Sequence, residues 1–216
     1  GLTRAEYYRQ GFFQLVVVAG LVALLILSLD WAHRAPERPA DRRISALYAA
    51  LIVLTGFMVA SALARLVLYV DSFGLTELRV YTTAFVVWLA ALLVLLLFTV
   101  VRGRRRWFAT GALVAGIAVG AVLNLVNPDA LIARVNLDRH LEDGLELDMA
   151  YLADRLSADA VPLLVDRLDE IADPCVRREA TAALRAAVEP AGDWRSFHFA
   201  RDDAAAAVAG FDPSLF

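Results

Sequence analysis

No lysine occurs in this 216-residue chain; all 21 of its basic residues are arginine. No physical rule keeps lysine out of a loop, so the bias reads as codon usage in a GC-rich bacterial genome. A single cysteine, Cys175, excludes an internal disulfide and leaves the redox compartment open. The histidines His33 and His198 are isolated, and no nucleophile–base arrangement can be built on either. Formal charge is missing from four long stretches, Gly11–Leu29, Ile44–Ala64, Val80–Val101 and Trp107–Val126. With 60% hydrophobic residues and a mean hydropathy of +0.59, the chain is too apolar for an ordinary soluble domain.

At 1.5 Å per residue, about 20 helical residues cross the roughly 30 Å hydrocarbon layer, and a helix satisfies its own backbone there. The pattern predicts an all-α protein with a four-helix transmembrane region over residues 1–128. An extramembrane helical tail is predicted over 129–216. The net charge of −3 implies nothing about nucleic acid, because it is divided by region, and no nucleic-acid partner is expected. The first apolar run is longer than the roughly 7–15 residues of a signal-peptide core, and no small-x-small site follows Asp30. The chain opens at Gly1 without an initiator methionine, so a segment upstream is expected.

Arg34, Arg38, Arg42 and Arg43 lie between the first two runs, and Arg102, Arg104, Arg105 and Arg106 between the last two. The positive-inside rule puts both loops in the cytoplasm and the tail outside, in a multi-pass protein of the bacterial inner membrane. Arg65 is the one charge deep enough to need explanation, since at a bilayer centre it would cost about 2.5–3.5 kcal/mol on insertion scales. Snorkelling to the interface, with Asp71 or Glu77 as partner, is the expected solution. Ala112, Gly116, Gly120 and Asn124 recur every four residues along the fourth run, a small-residue stripe suited to close helix packing. Gly1-Leu2-Thr3 and Gly74-Leu75-Thr76 each precede a run, with threonine placed as a helix N-cap.

Asn127-Pro128 should end the fourth helix. The acidic stretch that follows, with Asn136, Asp138, His140 and Asp148, matches neither an EF-hand loop nor a zinc set, so no metal is expected. Asp159–Val188 carries two helical apolar patterns, Val161, Leu164, Val165 and Leu168, then Val176, Ala180, Ala183, Leu184 and Ala187. They are split by Asp173-Pro174, a cap followed by proline at the first helical position, and the stretch is predicted to be a hairpin of two helices packed on each other. Its second half resembles one HEAT-type repeat, which needs flanking helices to cover it; Leu145–Leu156 and Asp202–Ala209 are the candidates.

The segments YVDSFGLTELRVY (Tyr69–Tyr81), NPDALIARVN (Asn127–Asn136), LDMAYLADRLSADAVP (Leu147–Pro162), DWRSFHFAR (Asp193–Arg201) and GLTRAEYYRQGFFQL (Gly1–Leu15) resemble a group of uncharacterised bacterial polytopic membrane proteins, defined as a domain of unknown function. His198 stands where asparagine is expected. The resemblance implies the C-terminal part of a longer multi-span protein, and it brings no activity, cofactor or catalytic residue. The sequence-level expectation is therefore a non-enzymatic membrane subunit or scaffold without a cofactor. Its helices would pack with other membrane subunits, or with its own upstream half, and its tail would dock a protein. The alternatives are a membrane sensor or regulator, and part of a transporter.

Overall fold

The computed structural model describes residues 4–32, 42–101, 107–187 and 199–210, and the regular elements among them are helices. The long ones are α1 (Arg4–Ala32), α2 (Arg42–Phe73), α3 (Glu77–Val101) and α4 (Trp107–Val126). The shorter ones are α5 (Pro128–Asp143), α6 (Met149–Asp154), α7 (Val161–Asp166), α8 (Pro174–Ala187) and α9 (Phe199–Gly210). Both arginine-rich loops lie largely outside the described residues, as do Gly1–Thr3, His33 and His198.

The helices α2, α3 (over Glu77–Thr99) and α4 are long and apolar enough to cross a membrane, and they mark a membrane-embedded protein. In α1 the apolar stretch Gln14–Leu29 is shorter. The chain divides into two compact units, Gly1–Val70 with Tyr81–Val122, and Asp71–Val80 with Leu123–Phe216. The inter-helix segment Asp71–Val80 belongs with the tail, which composition alone did not suggest.

In the first unit the buried positions recur with heptad-like spacing. Leu15, Ala19, Val22 and Ile26 form the inner face of α1, and Tyr48, Ile52, Thr55 and Val59 that of α2. Val86, Leu89, Leu93 and Leu96 do the same for α3. Spacings of 3 and 4 residues place these side chains on one side of each helix, where they pack as one cluster. The opposite faces are equally apolar, with Leu54, Phe57 and Val94 exposed. In water such a surface would drive aggregation, whereas in lipid it is the favoured exterior. Hydroxyls on these helices close on their own backbones: Thr55 Oγ1 donates to the Leu51 carbonyl at 2.9 Å and Thr99 Oγ1 to Leu96 at 3.0 Å.

The larger part of the second unit follows α4. Asn127 sits in the left-handed region (φ 50°), and Pro128 opens α5, so the chain turns sharply at the expected place. Gly144 (φ 65°) ends α5, its N–H donating to the His140 carbonyl at 3.1 Å. The core gathers Ile132, Leu137, Leu164, Leu168, Ile171, Ala180 and Leu184 from α5 to α8. Leu184 is 1% exposed, and burying such a side chain contributes about 1.5–3 kcal/mol.

The predicted two-helix hairpin takes a different form. Its first half breaks at Arg167 (φ −111°, ψ 8°) into α7 and a 3-10 turn, Leu168–Glu170. The helix α8 packs chiefly on α6, and α7 on α9 and α5. Of the apolar positions read from the sequence, Val161, Leu164, Leu168, Ala180 and Leu184 are buried and Val165, Val176 and Ala183 partly so, but the two halves face the flanking helices more than each other. The start of α8 follows the sequence reading: the Cys175 N–H donates to Asp173 Oδ1 at 2.7 Å, with Pro174 at the first position.

Candidate functional site

The segment between α2 and α3 is held by three side chains of the tail. Asn136, midway along α5, accepts the Leu75 N–H at Oδ1 and donates from Nδ2 to the Leu75 carbonyl, at 2.8 Å each. An asparagine amide offers one acceptor and two donors in the plane of a peptide, so it can pair with a backbone as a second strand would. The Arg139 guanidinium, one helical turn on, donates from Nη2 to the Asp71 carbonyl at 2.5 Å. The Tyr151 hydroxyl of α6 accepts the Glu77 N–H at 2.9 Å. That N–H is among the first of α3, which lack partners within the helix, so the tail caps the helix from outside.

Gly74 makes the approach possible. Its φ of +76° is a conformation that L side chains rarely adopt, and it is buried. A Cβ there would stand 2.6 Å from Asn136 Oδ1 and 2.7 Å from Arg139 Nη1. From α3 itself, Arg79 donates to the carbonyls of Phe73, at 2.8 Å, and Gly74. Val80 then joins the tail core directly.

The acidic stretch of the tail has structural partners. Asp138 takes Arg167 Nη1 at 2.5 Å, while the same guanidinium grips Glu170 through Nε (3.0 Å) and Nη2 (2.7 Å). These bonds, to Glu170 first and Asp138 second, raise the Arg167 pKa, and the Arg167 fork lowers that of Glu170. Asp148 caps α6 by accepting the Tyr151 N–H at 2.9 Å, and Asp129 accepts that of Ser157 at 3.1 Å. Among the described residues no group of three metal-ligating side chains occurs.

The stripe on α4 is only partly in contact. Ala112 and Gly116 are half-buried, and a Cβ on Gly116 would meet Trp88 Nε1 of α3 at 3.5 Å, an ordinary contact. Gly120 and Asn124 are exposed, and a Cβ on Gly120 would meet nothing within 4 Å. Within α4 the glycine that a neighbour crowds is Gly111, where a Cβ would lie 2.6 Å from Leu95 of α3. Its place beside the stripe gave no sequence signal. Arg65 is exposed on α2, and Asp71 lies six residues further along the same helix. Six residues turn a helix by about 600°, which puts Asp71 some 120° away from Arg65, whereas ion pairs on one helix form at three or four.

Three of the segments that carried the family resemblance meet at this clamp: Gly74-Leu75 from the first, Asn136 from the second and Tyr151 from the third. Comparison with curated proteins finds no match, and comparison with solved structures finds none either. The family model described as Domain of unknown function (DUF4153) matches residues 1–167, which include every residue of the clamp, and the chain belongs to that family.

Proposed function

We propose a four-span membrane protein that acts without chemistry of its own, as a subunit or scaffold whose loop-and-tail module docks a protein partner. The pairing of Asn136 with Leu75 carries this reading. Two helices, α3 and α4, separate these residues, so their contact requires that both helices cross the bilayer or that neither does. Since both have the length and apolarity to cross, the loop and the tail share one face. The 29-residue α1 supplies the fourth span. Both arginine-rich connections then lie on the opposite face, which the positive-inside rule makes cytoplasmic, with the tail outside the inner membrane.

The module suits docking because its backbone is fixed from within. Its core is apolar, and its carboxylates Asp129, Asp138 and Asp148 hold other parts of the module in place. The outer surface of α8 and α9 is left to present Arg178, Glu179, Arg201 and Asp202. Photo-crosslinkers at Arg178 and Asp202 in intact cells should give one discrete adduct that co-purifies at fixed stoichiometry in mild detergent. Purified chain that catalyses or transports alone in liposomes would refute the reading. The same clamp also favours a regulatory variant, since an event on the tail would reach α2 and α3 through Leu75 and Glu77.

A further inference from the structure

We infer that the Arg65 guanidinium binds the phosphate of a phospholipid headgroup at the bilayer face shared with the Asp71–Val80 loop. The inference rests on α2 spanning the membrane, as proposed above. Ser61, Arg65, Leu68 and Ser72 recur at i, i+4, i+7 and i+11 of α2, and all four are exposed. The inner face of the same helix is the buried set Tyr48, Ile52, Thr55 and Val59. Arg65 therefore points away from the helix packing, toward the medium around it.

Among the described residues the Arg65 guanidinium has no hydrogen bond or ion pair. An apolar medium does not tolerate a bare cation, so the group must find an anion there. Asp71 lies on another side of the helix, by the geometry given above. Ile44–Ala64 is 21 residues, about 31 Å of helix, which matches the roughly 30 Å hydrocarbon layer and brings Arg65 out at its edge. There the long side chain reaches the phosphate level, while Val67 and Leu68, exposed at 50% and 65%, lie at the glycerol level. A guanidinium presents two parallel N–H donors to two phosphate oxygens, so the site fits a phosphodiester better than it fits a neutral glycolipid.

The test uses the full chain in phosphate-free maltoside micelles, titrated with short-chain phosphatidylglycerol or with a short-chain diacylglycerol. Phosphatidylglycerol should raise the Tm of the wild type by several degrees and diacylglycerol should not. Arg65→Gln should lose at least half of that rise, and Arg65→Lys should keep most of it. An equal rise in Arg65→Gln, no rise in the wild type, or a difference that disappears in Asp71→Asn would overturn the proposal. A second measurement does not depend on how Arg65→Gln folds. Solid-state NMR recoupling between labelled arginine Cζ and lipid phosphorus should be weaker in Arg65→Lys than in the wild type, and equal recoupling would also overturn it. Leu68→Trp reads the underlying span separately, by quenching with phospholipids brominated near the glycerol. Quenching without an Arg65 effect sinks the phosphate site alone, and no quenching sinks the span.

Discussion

Asn136 pairs with Leu75 in both directions, accepting its N–H and donating to its carbonyl at 2.8 Å each, across 61 residues of sequence. One side chain thereby fastens the connection between two spanning helices to a domain that begins after a third. The pairing satisfies both backbone polar groups of half-buried Leu75, which lies between helices and so outside either hydrogen-bond ladder.

Removing it should be costly. Asn136→Ala leaves the Leu75 N–H and C=O without their partner, at about 1–3 kcal/mol for each group that water cannot reach. Hydrogen exchange should accelerate at the Leu75 and Glu77 amides while the α8 amides change little. Unchanged protection at Leu75 would show that the clamp is not what holds the loop.

Gly74→Ala should act at the same place by a different route. It adds a Cβ 2.6 Å from Asn136 Oδ1 in a backbone conformation that disfavours side chains, for a loss of about 1–3 kcal/mol. Combined with Asn136→Ala the loss should be less than additive, because the crowded oxygen is gone. Full additivity in thermal unfolding would separate the two residues.

The helices α2, α3 and α4 were legible as candidate spans because an apolar run of about 20 residues has few other uses. The helix break at Asn127-Pro128 and the start of α8 at Asp173-Pro174 were legible for an equally local reason, the chemistry of a cap and a ring. The clamp was not. Asn136 and Tyr151 are separated from the loop by 61 and 74 residues, and a polar residue midway along a helix looks the same whether it meets water or a distant backbone. Gly74-Leu75-Thr76 read as the approach to a helix cap, yet the N–H of Glu77 is capped by a tyrosine that no local pattern could supply. The hairpin was read as two helices facing each other because periodicity gives the buried face of each helix and not its partner.

In the tail, Leu184→Ala should cost about 2–5 kcal/mol, since the side chain is 1% exposed and belongs to the tail core. Denaturant unfolding followed by far-UV dichroism measures it. A change near zero would mean that the site collapses around the smaller residue.

The Arg167–Glu170 pair predicts a direction for acid titration. Arg167 holds the folded-state pKa of Glu170 below the unfolded value of about 4.5. Its contribution is therefore complete above that pH and is lost as pH falls through the depressed value. Carboxyl NMR should find Glu170 titrating below the ordinary range in the wild type and returning toward it in Arg167→Gln. An ordinary value in both would remove the pair from the account.

On α4, Gly111→Leu should disturb packing against Leu95 and cost about 1–3 kcal/mol, the usual effect of overfilling a contact. Gly120→Leu meets open space within this chain and should leave its stability in detergent unchanged. If Gly120→Leu nonetheless breaks up a larger native complex, the exposed half of the stripe is where a neighbouring helix seats.

The central claim is that loop and tail form one module on the face opposite the arginine-rich connections, and side-specific thiol labelling tests it most directly. Cys175 is exposed on the tail and serves as its own reporter. Ser72→Cys and Ala40→Cys, each made with Cys175→Ser, report the loop and the first arginine-rich connection. In intact cells a membrane-impermeant maleimide should label Cys175 and Ser72→Cys, and should label Ala40→Cys only after permeabilisation. Labelling of Cys175 and Ser72→Cys from opposite sides, or of Ala40→Cys from the same side as Cys175, would contradict it.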